Sequence, residues 1–299
     1  MNAQSKAVKQ RQPQSAYIVE PSSNHIYSLF LLHGLGSNGE KFGSELIRTA
    51  LCSDGQSLPE LLPGARFIFP TAKRRRSSAF GRSKLTQWFD IASLDDPAHR
   101  QHTQVRGLEE SLYEILKLVN EEADKVSAHH VLLGGLSQGS AMAAICLLYL
   151  QFPVGGFVGM SGWLPYRNDI HEALDNVSED NIFEDENPFD TSSCAKMEDQ
   201  DPIFKAVDFV RDLLGGDNQS PSQSALATPV FLGHGSADEK ISIELGENAR
   251  DTLRKAGFKV SWVAYQGHGH WYKVPEEVND IVAFMRNNMK WTVENIRSR

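Results

Sequence analysis

Hydrophobic positions along the chain fall into two alternating rhythms. Near-continuous apolar runs lie at residues 27–32 (YSLFLL), 65–69 (ARFIF), 130–133 (HVLL), 157–160, 230–232 and 259–265. Runs this short and dense suit strands covered on both faces of a parallel sheet. A further run at 17–19 predicts an antiparallel edge strand. Longer stretches between the runs repeat every three or four residues. Over 108–126, Leu108, Leu112, Ile115, Leu116, Val119, Ala123 and Val126 form one apolar stripe, with Glu121 and Lys125 spaced for an i,i+4 pair on the wet side. Residues 138–152 are apolar almost all round, as in a helix buried against a sheet. Residues 244–256 are amphipathic and stop at Gly257. Pro275 suits a first helical position and opens a helix to about 288. This alternation predicts an α/β chain with a mostly parallel, doubly wound sheet and helices on both faces.

Two stretches break the rhythm. Residues 71–104 carry a basic run, Lys73-Arg74-Arg75-Arg76, and little regular pattern. Residues 166–228 are longer, and between Glu179 and Asp201 nine acidic residues meet a single lysine. A short helical pattern at 202–214 and a polar linker at 215–224 follow. Loops of this length are usually functional or disordered. The stretch reads as an insertion, or partial cap, over the sheet's C-terminal edge. The expected organisation is a flexible tail at 1–16 and a single domain over 17–299 with that insertion at about 166–228.

Composition narrows the partners. A chain of 299 residues, 40% hydrophobic, can fill one large core. Its formal net charge of −8 gains nothing from a phosphate backbone, so no nucleic acid is expected. Against that balance the basic run reads as a solvated loop rather than an anion patch. Cys52, Cys146 and Cys194 are widely spaced and odd in number, which argues against a disulfide scaffold or a zinc cluster. Residues 1–14 are polar and unlike a secretory signal. The longest apolar stretch, 141–150, is too short to span a bilayer. A soluble protein of the reducing cytoplasm fits these features, and nothing opposes a homodimer.

The strongest local motif is Gly135-Leu136-Ser137-Gln138-Gly139, a GxSxG string directly after an apolar run and directly before a helical one. In that context the turn is so tight that only glycines fit beside the serine, and its Oγ is thrust out above the sheet. The helix that follows points its amides to where negative charge will develop. A serine hydroxyl needs a base, and the base needs an orienting acid. In this kind of fold they follow in the order Ser, Asp or Glu, His, each after a strand. The run at 230–232 leads into His234-Gly235-Ser236-Ala237-Asp238, which makes Asp238 the candidate acid and Glu239 its nearest rival. The last run leads into Gly267-His268-Gly269-His270-Trp271, where two histidines compete for the base. An HxH pair can also ligate a metal, but no third and fourth ligands cluster near it in the sequence. A glycine-rich turn, His33-Gly34-Leu35-Gly36-Ser37-Asn38-Gly39, follows the first strong run. It can aim the Leu35 N–H at an oxyanion beside the N–H of Gln138. It lacks the spacing of a phosphate loop.

Taken together, these strings resemble the acyl-protein thioesterase and carboxylesterase/lysophospholipase family of α/β-hydrolases. The likeness lies in HGLGSNG (33–39), QWFDI (87–91), GGLSQGSAM (134–142), SGWLP (161–165), HGSADEKI (234–241) and YQGHGH (265–270). It implies the α/β-hydrolase fold, Ser137 as nucleophile, Asp238 as acid and Leu35 with Gln138 as the oxyanion pair. The family's Y-x-G-x-x-H spacing falls on His270, so the resemblance assigns the base there and leaves His268 as a neighbour. It also places Trp88 and Asp90 near the site in a structural or substrate-shaping role.

The chain departs from that pattern in the long segment after SGWLP, the arginines before QWFDI, Trp271 in place of the usual serine and the N-terminal tail. Trp88, Trp163, Leu164 and Trp271 are candidates to line an apolar acyl pocket. The expected reaction is hydrolysis of a carboxylic ester or thioester through an acyl-enzyme, with no metal or cofactor. The substrate would be an acyl ester or thioester, such as an S-acylated protein or a lysophospholipid. Two alternatives remain at this point. One is acyl transfer or lactonisation on the same three residues, and the other is an acidic interaction module on a hydrolase scaffold.

Overall fold

A computed structural model describes residues 16–175, 202–216 and 224–294. Its strands are β1 (Tyr17–Val19), β2 (Tyr27–Leu32), β3 (Ala65–Phe69), β4 (Arg74–Arg76), β5 (Lys84–Thr86), β6 (Val131–Leu136), β7 (Gly156–Met160), β8 (Val230–Gly235) and β9 (Val260–Tyr265). Seven of them form one sheet in the order β1-β3-β2-β6-β7-β8-β9, and β4 pairs with β5 as a separate hairpin. Every neighbouring pair from β3 to β9 in that sheet is parallel. The edge strand β1 runs antiparallel, with Tyr17 opposite Phe69.

The helices are α1 (Gly39–Thr49), α2 (Leu58–Leu61), α3 (Val105–Val126), α4 (Gln138–Tyr149), α5 (Arg167–Asp175), α6 (Pro202–Leu213), α7 (Ile243–Lys255) and α8 (Glu276–Asn287). Alternation along the strands sorts them into two layers. Phe30, Leu32, Leu133, Phe157 and Leu232 pack into one core with α3, α4, α5, α6 and α7. Leu29, Leu31, Leu132, Val158 and Phe231 pack into the other, with α1, α2 and α8. The continuous apolar runs follow from this geometry, because both faces of the central strands are covered.

Several expectations need correcting. Pro275 is the residue that caps α8, one position before its first turn. Lys125 pairs with Glu122 at 2.7 Å rather than with Glu121, which lies 4.0 Å from Lys117. Glu122 also takes Arg66 and the Ser28 hydroxyl, so this carboxylate is buried and gathers the charges around it. The basic run is solvated at Lys73, Arg74 and Arg76, but it is strand rather than loop. It forms β4, and Arg75 lies 2.7 Å from Glu110 on α3, with its side chain only 15% exposed. Lys73 reaches Glu114 on the same helix. These carboxylates lie more than thirty residues downstream, so no local pattern could reveal them.

The 166–228 stretch contributes α5 and α6, which bury Ile170, Leu174, Ile203, Val207 and Val210 in the α4-side core. The acidic run 179–201 and Cys194 lie outside the described residues, as do residues 1–15 of the tail. Among the described residues, no helix is long and apolar enough to cross a membrane.

Candidate active site

The carboxyl ends of β2, β6, β8 and β9 converge, and each carries one of the residues singled out above. Ser137 stands between β6 and α4 with φ 57° and ψ −123°, a left-handed backbone that a non-glycine residue adopts only under constraint. The constraint is visible in the neighbouring glycines. A Cβ on Gly135 would lie 2.6 Å from Leu32 O, and one on Gly139 would run into the same carbonyl. The start of α4 is therefore pressed against the end of β2, and the serine is left as the crest of the turn. The Ser137 amide donates to Met160 O at 2.9 Å, which ties the crest to β7.

Asp238 lies in the loop after β8, its side chain wholly shut off from solvent. Its Oδ1 accepts the amides of Lys240 and Ile241, each at 2.9 Å. Its Oδ2 accepts His270 Nδ1 at 2.8 Å. Burial alone would raise this carboxyl. Hydrogen bonds from His234, His270, Ile241 and Lys240 outweigh it and hold the group well below the usual carboxylate range. With Nδ1 donating to a carboxylate, neutral His270 has Nε2 free to accept a proton. Among the described residues no hydrogen bond joins Ser137 Oγ to His270. Such bonds are often long before substrate binds. The rival acid Glu239 instead lies beside the His270 loop, 3.1 Å from where a Cβ on Gly269 would stand. His268 Nε2 donates to Trp271 O at 3.1 Å and takes no part in the Asp238 contact.

The turn after β2 brings Leu35 to the same end of the sheet. Gly36 N donates to Thr86 O at 2.8 Å and Ser37 N to Gly34 O at 3.2 Å, which fixes the turn on both sides of Leu35. Asn38 then caps α1 by accepting the Lys41 amide at 2.8 Å. Gln138 is the first residue of α4, where an amide has no carbonyl one turn earlier in its own helix.

The Gln138 side chain has a task that the sequence did not disclose. Its Nε2 donates to Phe89 O at 2.9 Å and its Oε1 accepts the Trp88 amide at 3.1 Å, so it clamps the WFD strand of chain to the nucleophile turn. Trp88 adds its own bond, Nε1 to His33 O at 2.8 Å. His33 Nε2 accepts the Ala72 amide at 3.0 Å, which leaves Nδ1 to donate to Gly34 O. Burial lowers His33 to about 4, against the upward pull of that Gly34 bond, so it stays neutral. Asp90 accepts Ser78 and Ile91 amides and holds the hairpin loop rather than facing the serine.

Among the candidates for an apolar pocket, Trp88, Trp163 and Leu164 are buried in the α4-side core. Trp271, next to His270, is 39% exposed. His234, 1% exposed, lies against Asp238 and was passed over in the sequence. The sign was there, since it is a histidine continuing the apolar run 230–232.

The profile of the phospholipase/carboxylesterase family matches residues 13–186 and 214–289. The chain belongs to this family. Membership makes it a hydrolase of the ester-cleaving class. Among its relatives, acyl-protein thioesterase 1 of Yarrowia lipolytica is 26% identical over 283 residues, spanning 93% of this chain and 99% of that protein. Acyl-protein thioesterase 1 of Saccharomyces cerevisiae is 24% identical, spanning 88% and 92%. The crystal structure of Zea mays acyl-protein thioesterase 2 shares the fold with a TM-score of 0.63 at 24% identity, covering 92% of this chain and 98% of that one. A phospholipase/carboxylesterase from Dyadobacter fermentans superposes with a TM-score of 0.56 at 16% identity, covering 96% and 100%.

Proposed function

We propose that this family member is a serine hydrolase that cleaves carboxylic esters or thioesters, with Ser137, His270 and Asp238 as its triad. The observation that carries the reading is the 2.8 Å bond from His270 Nδ1 to the buried Asp238 carboxylate, set at the same sheet edge as the strained Ser137 turn. His270 Nε2 takes the Ser137 proton as Oγ attacks the acyl carbonyl. Asp238 keeps the imidazole in that tautomer and stabilises the imidazolium. The oxyanion rests on the amides of Leu35 and Gln138, where one lost donor typically costs ~10²–10³ in rate. His270 returns its proton to the leaving alcohol or thiol, and water, deprotonated by the same ring, releases the acid.

The substrate we infer is a long-chain acyl thioester on a protein, with lysophospholipid esters as the related class. Its support is the naming of the fungal relatives as acyl-protein thioesterases. Trp271, exposed beside the base, is the apolar surface we assign to the acyl chain.

The test compares wild type with Ser137→Ala on p-nitrophenyl esters from acetate to palmitate, with one palmitoyl-cysteine peptide beside them. Turnover by wild type alone supports the triad, and preference for the palmitoyl peptide supports the substrate. Equal activity in the two proteins would remove Ser137 as nucleophile.

A further inference from the structure

His234 lies under the triad carboxylate, and no step written above uses it. It sits near the end of β8 and is 1% exposed. Its Nε2 is 2.9 Å from Ile241 O and 3.3 Å from Asp238 Oδ2. Both neighbours only accept, so Nε2 carries hydrogen; it donates to Ile241 O and lies close beside Asp238 Oδ2. The ring is held from two sides. On α7, Gly246 comes so close that any Cβ there would strike His234 Nδ1. On β9, the Trp262 ring lies 6.2 Å away.

We propose that His234 is a positioning residue for the acid: a second imidazole donor on Asp238 Oδ2 that tempers the charge this oxygen presents to His270, and so sets the pH at which His270 takes up its proton. The inference rests on the triad reading. Asp238 Oδ1 already accepts two main-chain amides, which fix how the carboxylate lies. Oδ2 accepts His270 at 2.8 Å, and His234 Nε2 lies 3.3 Å from the same oxygen. A carboxylate has about four lone-pair sites; three accept these bonds, and the His234 N–H stands beside the fourth. Removing His234 therefore leaves the orientation of Asp238 intact and changes the charge on the one oxygen that His270 uses.

Other charged and titratable groups surround the pair. Glu239 and Lys240 flank Asp238 in its own loop, and His268 flanks His270. Arg250 of α7 stacks over Trp262 at 5.3 Å. From α8, Glu277 is packed so tightly on Gly233 that its Oε1 fills the space a Cβ would need. Tyr265 closes that side from β9. A substitution at His234 leaves each of these in place.

The experiment follows the His270 imidazole by nitrogen-15 NMR titration in a Ser137→Ala background, with and without His234→Leu and His234→Gln. Losing one donor leaves Oδ2 more negative, so His234→Leu should raise the His270 midpoint by roughly half to one pH unit. The acid limb of kcat/KM in the Ser137-intact protein should move by the same amount. His234→Gln, which presents an amide N–H, should return the midpoint toward wild type. In wild type, the His234 hydrogen should be found on Nε2. A hydrogen on Nδ1 alone, or a folded His234→Leu protein with an unmoved His270 midpoint, would overturn the inference. If His234→Leu does not fold, the tautomer in wild type and the midpoint in His234→Gln decide instead. The NMR reading needs no turnover. Activity that survived Ser137→Ala would therefore sink the triad alone and leave the Asp238–His234 contact measurable.

Discussion

Two buried groups pull stability in opposite directions with pH, and neutralising one should uncover the other. Glu277 is 1% exposed, and its Oε2 accepts the amide of Lys273, in the loop that carries His270, at 2.9 Å. Among the described residues its Oε1 has no partner. Burial pushes this carboxyl from an ordinary 4.5 up to about 8, against the Lys273 amide and with help from Asp280. Between those limits the folded protein keeps a proton that the unfolded chain has lost. Stability then falls by about 1.4 kcal/mol per pH unit. This contribution is fully present below 4.5 and gone above about 8. His33 behaves in the opposite sense. Burial lowers it from 6.5 to about 4, so its contribution is full above 6.5 and is lost as pH falls toward 4.

From 4.5 to 6.5 the two slopes oppose each other and largely cancel. Above 6.5 Glu277 acts without that counterweight, and wild type should lose roughly 2 kcal/mol by about pH 8. Asp238 is held below the ordinary carboxylate range and titrates beneath this window. Glu277→Gln keeps an acceptor for the Lys273 amide and cannot ionise. Urea unfolding of both proteins across this range gives the free energies directly. The variant should gain on wild type by roughly 2 kcal/mol between about pH 6.5 and 8. It should also show the rising His33 slope below 6.5, where wild type is flat. A gap between the two proteins that is the same at both ends of the upper range would refute the reasoning.

Asp238→Asn should lower kcat by ~10⁴, because its amide oxygen must stay on the Lys240 and Ile241 N–H groups. Its NH2 then faces His270 Nδ1 donor to donor and forces the wrong tautomer. Steady-state kinetics on a p-nitrophenyl ester decide, and a loss under tenfold would contradict the assignment. Gly139→Ala places a Cβ against Leu32 O and 2.7 Å from His33 O, both main chain. It should cost roughly 1–3 kcal/mol and most of the activity, and unchanged urea midpoint and turnover would show that the turn has slack. Asn38→Ala removes the cap on Lys41 N and should cost about 1 kcal/mol. A thermal midpoint equal to wild type would place the stability of that turn elsewhere.

The sheet was legible in the sequence because its central strands are buried on both faces, so their apolar runs stand out without any partner being known. The amphipathic helices were legible from their stripes. What escaped notice depended on distant chain. The hairpin of β4 and β5 is only six residues of strand, and Arg75 reads as surface until Glu110 is brought beside it. α1 begins inside the glycine-rich turn that was read for its chemistry, and Asn38 serves as its cap. Ser137 and Asp238 became candidates because each follows a strand in the expected order, whereas His270 was chosen over His268 only through the family resemblance. The Gln138 side chain and His234 could not be given tasks. Their partners, Trp88, Phe89 and Ile241, have no relation to them in spacing or residue type.

The same contrast separates what fixes the chemistry from what selects the substrate. The Ser137 turn is fixed by main-chain contacts too close for any Cβ, and the Asp238 side chain is sealed from solvent and accepts three hydrogen bonds. A group held in this way can move only if the strands beneath it move, and those strands are the two-sided core of the sheet. Trp271 is on the wet side of the same edge, 39% exposed, its ring packed along one side on Tyr272 at 5.1 Å. Phe80, at the tip of the hairpin, is 43% exposed. Substitutions in the first set should therefore act on kcat and on stability together. On the proposed triad, substitutions at Trp271 should act on chain-length preference while leaving the turnover of a short acetyl ester near that of wild type, because an acetyl group carries only a methyl beyond its carbonyl.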